Sequence, residues 1–468
     1  MKTNSNSRKS SLKLVVCDAA IVAYATYFSS LALGWLGLDL NTDATSMVIT
    51  CVAFAVSVTT INLSVGLYES SLREPFRGII RRIFVSAIIS FFVVTIATNA
   101  LYRPYEAHPL LAPLSVTLII MTLVAFRYFV YNTESLSNKP NIVVLGTGVR
   151  ASVIEKRMRR MVDRSNFNLV SFIPVSGDQR DEGIEKEKVA NIELNEDFDK
   201  YLKDQEINEI IIANDQRRGT LPIDSLFNAR LQGVQVTDLL DFMERETGQI
   251  AVDLMYPSWV IYSNGFQSQK IFRTVMDYWL NIFLAIFVLF FTWPIMLITA
   301  LIIYVDDGYR TGASVLYKQQ RVGKNGKLFN ILKFRSMRPD AEKDGAKWAS
   351  KNDNRVTSIG AFIRKYRVDE LPQLINVLRG EMSFIGPRPE RPEFVEQLVE
   401  ELPYFNQRHN VKPGLAGWAQ LNYPYGASVK DSLEKLKFDL YYVKHQSLLL
   451  DLLILIRTVE VILFGKGR

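Results

Sequence analysis

Apolar residues in this chain are bunched rather than spread. Four stretches, roughly 12–36, 46–67, 83–101 and 109–131, each approach the ~20 residues that cross a bilayer as a helix. Lys2, Arg8, Lys9 and Lys13 precede or open the first stretch. Ala23-Tyr24-Ala25 loosely imitates a signal-peptide cleavage site, but the apolar run continues well past it, which predicts an uncleaved anchor. The loop after the second stretch carries Arg73, Arg77, Arg81 and Arg82, whereas residues 37–46 hold no Lys or Arg and the third loop holds only Arg103. Basic loops stay on the cytoplasmic side. The pattern therefore predicts a first domain, residues 1–135, of four transmembrane helices with both ends in the cytoplasm.

A fifth run, 278–305, is uncharged throughout and long enough to span. Its flanks are basic on both sides, with Lys270 and Arg273 before it and Arg310, Lys318 and Arg321 after it. Pro294 sits near its middle, where it removes a helix hydrogen bond and favours a kink. A full crossing would also carry all that follows out of the cytoplasm, away from activated sugars and ATP. These features predict a re-entrant helix that enters the cytoplasmic leaflet, bends at Pro294 and returns.

Between these regions, residues 136–266 change character. Asn141-Ile-Val-Val-Leu-Gly146 reads as a buried parallel strand, followed by Thr147-Gly148-Val-Arg-Ala151 and a basic helical stretch to about Arg164. Further strand-like runs at 169–174, 209–214 and 234–239 alternate with helices, the pattern of a Rossmann-like sheet. The Gly146-x-Gly148-x-x-Ala151 turn suits a phosphate at a helix N-terminus. It is equally the tight turn of a fold that binds nothing. No acidic residue closes the strand at the distance a dinucleotide requires, Asp178 being the nearest, so the turn does not assign NAD.

The final third, 267–468, mixes both periodicities. Strand-like runs at 315–319 and 328–334 flank Asn325-Gly326, a strong hairpin signal. Lys318, Arg321, Lys324, Lys327, Lys333 and Arg335 crowd this ribbon; a solvated, membrane-facing surface accounts for most of them. A short helix at 359–367 leads to Val368 and a second helix ending at Gly380, with Leu371, Leu374, Ile375 and Leu378 at helical spacing. Pro372 is tolerated only in a first turn, which puts Asp369 and Glu370 at the helix N-terminus. That is an ordinary way to start a helix.

Composition narrows the chemistry. Hydrophobic residues make up 48% of the 468 positions and charged ones 22%, with a formal charge of +7. The excess suits anionic partners: a lipid leaflet or phosphorylated substrates, with nucleic acid disfavoured by the membrane segments. Two cysteines, Cys17 and Cys51, both lie in apolar runs, and three scattered histidines, His108, His409 and His445, make no metal centre. Any metal must be held by carboxylate and phosphate oxygens.

Arg364 precedes the carboxylate pair, and a proline-stiffened basic loop, Ile385-Gly-Pro387-Arg388-Pro389-Glu-Arg391-Pro392, follows its helix. Arginine forks grip phosphate oxygens. A helix N-terminus attracts phosphate and favours an ionised Asp369, which beside a bound diphosphate is able to attack phosphorus. Glu370 is placed to help hold Mg2+.

At these residues the chain closely resembles the bacterial sugar transferases of the monotopic phosphoglycosyl transferase superfamily. The matching stretches are Gln320-Arg-Val-Gly323, Lys333-Phe-Arg-Ser-Met337, Asp369-Glu-Leu-Pro-Gln-Leu374, Gly386-Pro-Arg-Pro389, Lys412-Pro-Gly414 with Gly417-Trp-Ala-Gln420, and Asp439-Leu-Tyr-Tyr442. The four-helix start and Rossmann-like insert are similar to the large form that initiates exopolysaccharide or O-antigen repeat units. Pro257-Ser-Trp259 through Ser263-Asn-Gly-Phe266 resembles the exopolysaccharide branch. The resemblance implies that a UDP-sugar gives its phosphosugar to undecaprenyl phosphate, releasing UMP. It makes Asp369 the nucleophile and Glu370 its partner at a Mg2+ ion. Lys333, Arg364 and Arg388 become phosphate ligands and Asp439 part of the nucleotide pocket. It implies a bacterial inner membrane enzyme with its catalytic domain facing the cytoplasm, among membrane lipids, and is compatible with a homodimer. Relatives kink the re-entrant helix at Ser-Pro; here the pair is Trp293-Pro294, with Thr292 adjacent.

The expected fold class is thus a membrane α-helical bundle of four transmembrane helices, a Rossmann-like α/β domain and a mixed α/β catalytic domain with a re-entrant membrane helix. The very apolar end, 448–464, adds an interfacial helix. Two rivals remain: a membrane-tethered, NAD-dependent nucleotide-sugar epimerase or dehydratase, and a non-catalytic scaffold for polysaccharide assembly. The former needs a Tyr-x-x-x-Lys pair that the chain lacks. The latter leaves the basic, carboxylate-bearing final third unexplained.

Overall fold

The computed structural model of the chain describes residues 2–37, 44–64, 67–68, 76–101, 110–134, 139–158, 167–216, 221–263, 265–266, 271–341, 354–423, 426 and 428–463. These fold as two compact units, Met1–Thr247 and Gly248–Arg468.

The first unit opens with helices α1 (Lys2–Trp35), α2 (Ala44–Ser64), α3 (Phe76–Leu101) and α4 (Leu111–Glu134). Each packs on its sequence neighbour and α1 closes onto α4. Val22, Phe54, Val58, Ile83, Ile119 and Leu123 fill the interior, and much of the apolar surface faces outward. Inside the bundle, Arg127 Nη2 lies 2.6 Å from Asp18 Oδ2, which also accepts from Tyr68 Oη at 2.8 Å. Removing either charge strands the other in an apolar interior, which costs roughly 3–5 kcal/mol. Among the described residues, Lys13–Trp35 and Leu111–Val130 are long and apolar enough to cross a membrane, whereas α2 and α3 hold the shorter apolar stretches Met47–Leu63 and Arg82–Ile96.

A parallel sheet follows, built from β1 (Asn141–Leu145), β2 (Asn168–Ile173), β3 (Ile207–Ile212) and β4 (Gln235–Asp238) in the order β2-β1-β3-β4. Helices α5 (Val149–Arg157), α6 (Glu196–Asp204), α7 (Ile223–Leu231) and α8 (Leu239–Thr247) alternate with the strands. The predicted strands all form, within two residues of their expected ends. The apolar runs of β1 and β3 lie at the sheet centre, where Val143, Leu145 and Ile210 pack with Phe198 and Leu202. The basic stretch expected to reach Arg164 is helical only to Arg157, and 159–166 lie outside the described residues.

The glycine turn has an occupant from its own chain. Asp215, just beyond β3, accepts from the Val149 and Arg150 amides, both at 2.9 Å, and a Cβ on Gly148 would collide with its carboxylate. The Asp215 amide in turn donates to Asp178 Oδ1 at 3.0 Å. An internal carboxylate thus satisfies the donors a phosphate would need. Asp215→Ala should lower the stability of this unit by about 1 kcal/mol, the usual cost of losing a helix cap. A denaturant titration following this unit checks it, and NAD added to the unaltered protein should not shift the midpoint.

The second unit begins earlier than the residue-267 boundary suggested by sequence. Ile250 donates its amide to Lys437 O at 3.0 Å, Trp418 Nε1 donates to Gly248 O at 2.8 Å, and Lys444 Nζ lies 4.4 Å from the Trp259 ring centroid. Residues 248–266, with α9 (Pro257–Tyr262), therefore belong to the following fold.

Helix α10 (Ile271–Ile303) runs through Pro294 as one helix and ends in a π turn, Tyr304–Gly308. One face packs along the unit: Ala285, Val288 and Leu289 meet Phe329, Ile331, Leu374 and Val377, and farther along Met296, Ala300 and Ile303 meet Phe334 and Ile363. The other face leaves Trp279, Phe283, Phe290, Leu297 and Leu301 exposed. Strands β5 (Leu316–Val322) and β6 (Leu328–Phe334) form the expected antiparallel hairpin. Its turn places Asn325 (φ 55°) and Gly326 (φ 76°) in the left-handed region, as the Asn-Gly pair predicts. The remaining elements are α11 (Ser358–Lys365), α12 (Gln373–Leu378), β7 (Ser383–Ile385), α13 (Pro392–Glu401), β8 (Gly414–Ala416), α14 (Trp418–Asn422), α15 (Val429–His445) and α16 (Leu448–Leu463).

Candidate active site

Three segments converge around Glu370. Lys333 comes from the end of β6, Arg367 from the bend after α11, and Arg388 from the proline loop after β7. All reach one oxygen: Arg388 Nη2 lies 2.8 Å from Glu370 Oε1, and Lys333 Nζ and Arg367 Nη1 each lie 3.6 Å from it. Arg367 takes a left-handed conformation (φ 58°), rare for a residue with a side chain, and this reverses the chain directly before the pair.

The pair does not start the second helix as expected. Val368–Glu370 form a short 3-10 turn, and α12 begins only at Gln373, capped by Pro372. Pro372 still sets the entry, because its missing N–H is tolerated there.

What fixes α12 against the hairpin is Asn376, fully buried, which the sequence did not single out. Its amide nitrogen donates to Asn330 O at 2.8 Å and its oxygen accepts from Leu332 N at 3.0 Å. The carboxamide thereby satisfies the free edge of β6 as a neighbouring strand would. Nothing marks Asn376 in advance, since the partners that tie it to β6 are backbone atoms in a distant segment.

The proline loop is pinned at four points. Glu390 O accepts from Val322 N at 3.0 Å, and Pro389 O from Arg321 Nη1 at 3.0 Å. Arg388 O accepts from Arg408 Nη2 at 2.9 Å and Pro387 O from Gly414 N at 3.0 Å. Gly386 and Gly414 approach so closely that a Cβ on either would collide with backbone of the other's segment.

The two carboxylates sit in opposite electrostatic states. Burial pushes Glu370 up, but Arg388, Lys333 and Arg367 together hold it well below the usual carboxylate range. Burial pushes Asp369 up as well, the Glu370 charge adds to this, and Lys333, Arg364 and Arg388 only partly offset it. This differs from the expected helix-end effect, because desolvation outweighs it. Asp369 is 7% exposed, and its Oδ1 has no hydrogen-bond partner among the described residues. The same is true of Nη1 of Arg364, at the end of α11. Burial also lowers Lys333 to about 8, against the pull of Glu370.

Of the residues singled out by sequence, Lys333, Asp369, Glu370, Arg364 and Arg388 thus share one site. Arg367 joins them unforeseen, although it stands three residues before Glu370. Asp439 lies elsewhere: it is 2% exposed on α15, with Oδ2 2.8 Å from Arg408 Nη2. Pro294 is inside α10.

No group of three or more potential metal-ligating side chains exists among the described residues. The two neighbouring carboxylates, one with a bare oxygen, nonetheless fit Mg2+, which takes one or two carboxylates and completes its shell with phosphate oxygens.

The C-terminal sequence is shared with known proteins. Residues 272–465 match the family described as bacterial sugar transferase. The chain is 47% identical over 174 residues to the UDP-N-acetylgalactosamine-undecaprenyl-phosphate N-acetylgalactosaminephosphotransferase of Aeromonas hydrophila, covering 37% of this chain and 40% of that protein. It is 41% identical over 180 residues to the undecaprenyl-phosphate glucose phosphotransferase of Komagataeibacter xylinus, covering 37% and 33%. These alignments span less than half of either relative. The exopolysaccharide production protein PSS of Rhizobium leguminosarum bv. phaseoli is 41% identical over 181 residues, which is 37% of this chain but 88% of that protein. With 88% of a relative matched at 41% identity and residues 272–465 matching the family model, the chain belongs to the bacterial sugar transferase family.

Proposed function

We propose that the protein transfers a phosphosugar from a UDP-sugar to undecaprenyl phosphate, releasing UMP, as the first membrane step of exopolysaccharide or O-antigen synthesis. The observation that carries this reading is the bare, buried Asp369 oxygen beside a cluster of cations. Asp369 attacks the β-phosphorus of the donor; the bond to the α-phosphate breaks, and UMP leaves with the electron pair. A lipid phosphate oxygen then attacks the resulting acyl phosphate and restores the carboxylate. Lys333, Arg364 and Arg388 bind the diphosphate oxygens, and Arg388 and Lys333 are held ready by Glu370. Asp369 and Glu370 would hold Mg2+, which when bound neutralises diphosphate charge. The named relatives act on undecaprenyl phosphate. The NAD-dependent alternative loses support because Asp215 fills the amides such a cofactor would need.

Placement at the cytoplasmic face of the inner membrane is part of the proposal. Helix α10, at 33 residues, is about 50 Å long, more than a bilayer core requires. Yet its packed face meets the catalytic fold from Ala285 to Ile303, and that fold carries Lys333 and Glu370. A helix crossing the bilayer would drag these groups into hydrocarbon. Entry into one leaflet, with the aromatic face in lipid, fits this one-sided packing, although α10 runs through Pro294 as one helix rather than as the two arms expected there. It also sets the site at the headgroup plane, where a lipid phosphate and a cytosolic nucleotide sugar meet.

Purified protein with Mg2+, undecaprenyl phosphate and UDP-glucose or UDP-N-acetylgalactosamine should release UMP. Asp369→Asn should abolish this with the melting transition retained; clear residual turnover would reject the covalent role. Because the Lys333 cation is present below about pH 8 and lost above it, activity should fall on the alkaline side near that pH, and Lys333→Arg should push the limb upward. For topology, Ser314→Cys in a Cys17→Ser, Cys51→Ser background should react with impermeant maleimide only in inside-out vesicles. Labelling in intact spheroplasts would rule out the re-entrant helix.

A further inference from the structure

Asp439 and Arg408 are both buried, at 2% and 5% exposure, and lie behind the phosphate-binding loop. One guanidinium nitrogen, Arg408 Nη2, contacts Asp439 Oδ2 at 2.8 Å and donates to Arg388 O at 2.9 Å. The side chain of that same Arg388 holds Glu370 at 2.8 Å. A continuous line of charge and hydrogen bonds therefore runs from α15 through the 3-10 turn Phe405–Asn410 to the catalytic carboxylate pair.

We propose that Asp439 and Arg408 are a positioning pair that aims Arg388 at the donor diphosphate, and that the pair holds only while Asp439 is ionised. The proposal rests on the donor reading given above. It explains a buried carboxylate that touches no substrate-facing group.

The groups facing Asp439 decide where it titrates. From the 3-10 turn comes Arg408, with His409 beside it, from the proline loop Glu390, and from its own helix Lys435. Burial raises the Asp439 carboxyl to about 6; Arg408 and Lys435 oppose this and Glu390 reinforces it. His409, held near 3 by burial and by Arg408, stays neutral throughout this range. Above about 6 the pair is ionic. Below it, Asp439 is protonated, and the buried Arg408 guanidinium loses the carboxylate charge that holds it in place. Arg388 then loses its backbone anchor, and the grip on the donor loosens as pH falls.

The test is donor binding by the full chain in nanodiscs, with Asp369→Asn as parent. That substitution stops turnover and removes the site's own carboxyl whose ionisation burial disfavours; Asp451, raised to about 7 by burial, is common to every variant, so the step read is the one near pH 6. UDP-glucose and UDP-N-acetylgalactosamine are titrated calorimetrically between about pH 5 and about pH 7.5, a window in which one linked proton changes affinity by at most about tenfold per pH unit. The parent should bind tightly at the upper end and weaken below about pH 6. Adding Arg408→Gln with Asp439→Asn should give weaker, pH-independent binding, since neither side chain titrates in this range. Adding Asp439→Glu alone should keep the step and move its midpoint. Binding by the parent without a step overturns the inference, as does a step that survives the neutral pair or keeps its midpoint in Asp439→Glu. No binding by the parent at any pH overturns the donor reading, and this inference with it.

Discussion

A single carboxylate oxygen organises the catalytic unit. Glu370 Oε1 gathers cations from a strand, a left-handed bend and a proline loop. Each of these cations would repel the others without it, and each is partly desolvated, so their joint placement depends on the charge between them. The consequence for chemistry lies one residue back. With Glu370 committed to the cations, Asp369 keeps an unpaired oxygen in a buried position. Adjacent carboxyls are thereby driven apart in acidity, the arrangement by which one environment assigns two roles.

Holding that geometry requires support well outside the charged cluster. Asn376 locks α12 to the edge of β6, and the close approach of Gly386 and Gly414 seats the proline loop between β7 and β8. Beneath both, α10 presents one apolar face to the protein and the other to its surroundings. The same helix is therefore core on one side and exposed apolar surface on the other. This explains why its hydropathy alone suggested a crossing, whereas its packing argues for a one-sided insertion.

The parallel sheet of the first unit illustrates the separation of fold from function. Its glycine turn has the shape of a phosphate site, yet Asp215 supplies the anion from within. The turn is a structural joint between β1 and α5.

Much was legible in the sequence because it depends on local rules. Apolar length announced the helices of the bundle, alternation announced the parallel sheet, and Asn325-Gly326 announced the hairpin turn. The motif residues Lys333, Arg364, Asp369, Glu370 and Arg388 were identified and do converge. What sequence could not contain was desolvation and long-range pairing. The raised pKa of Asp369, the placement of Asp439 behind Arg408, the role of Asn376, and the filling of the glycine turn by Asp215 all arise from residues brought together across many intervening positions. Residue type and spacing determined which groups were available; only the packed structure decided which charges lost water and which found partners.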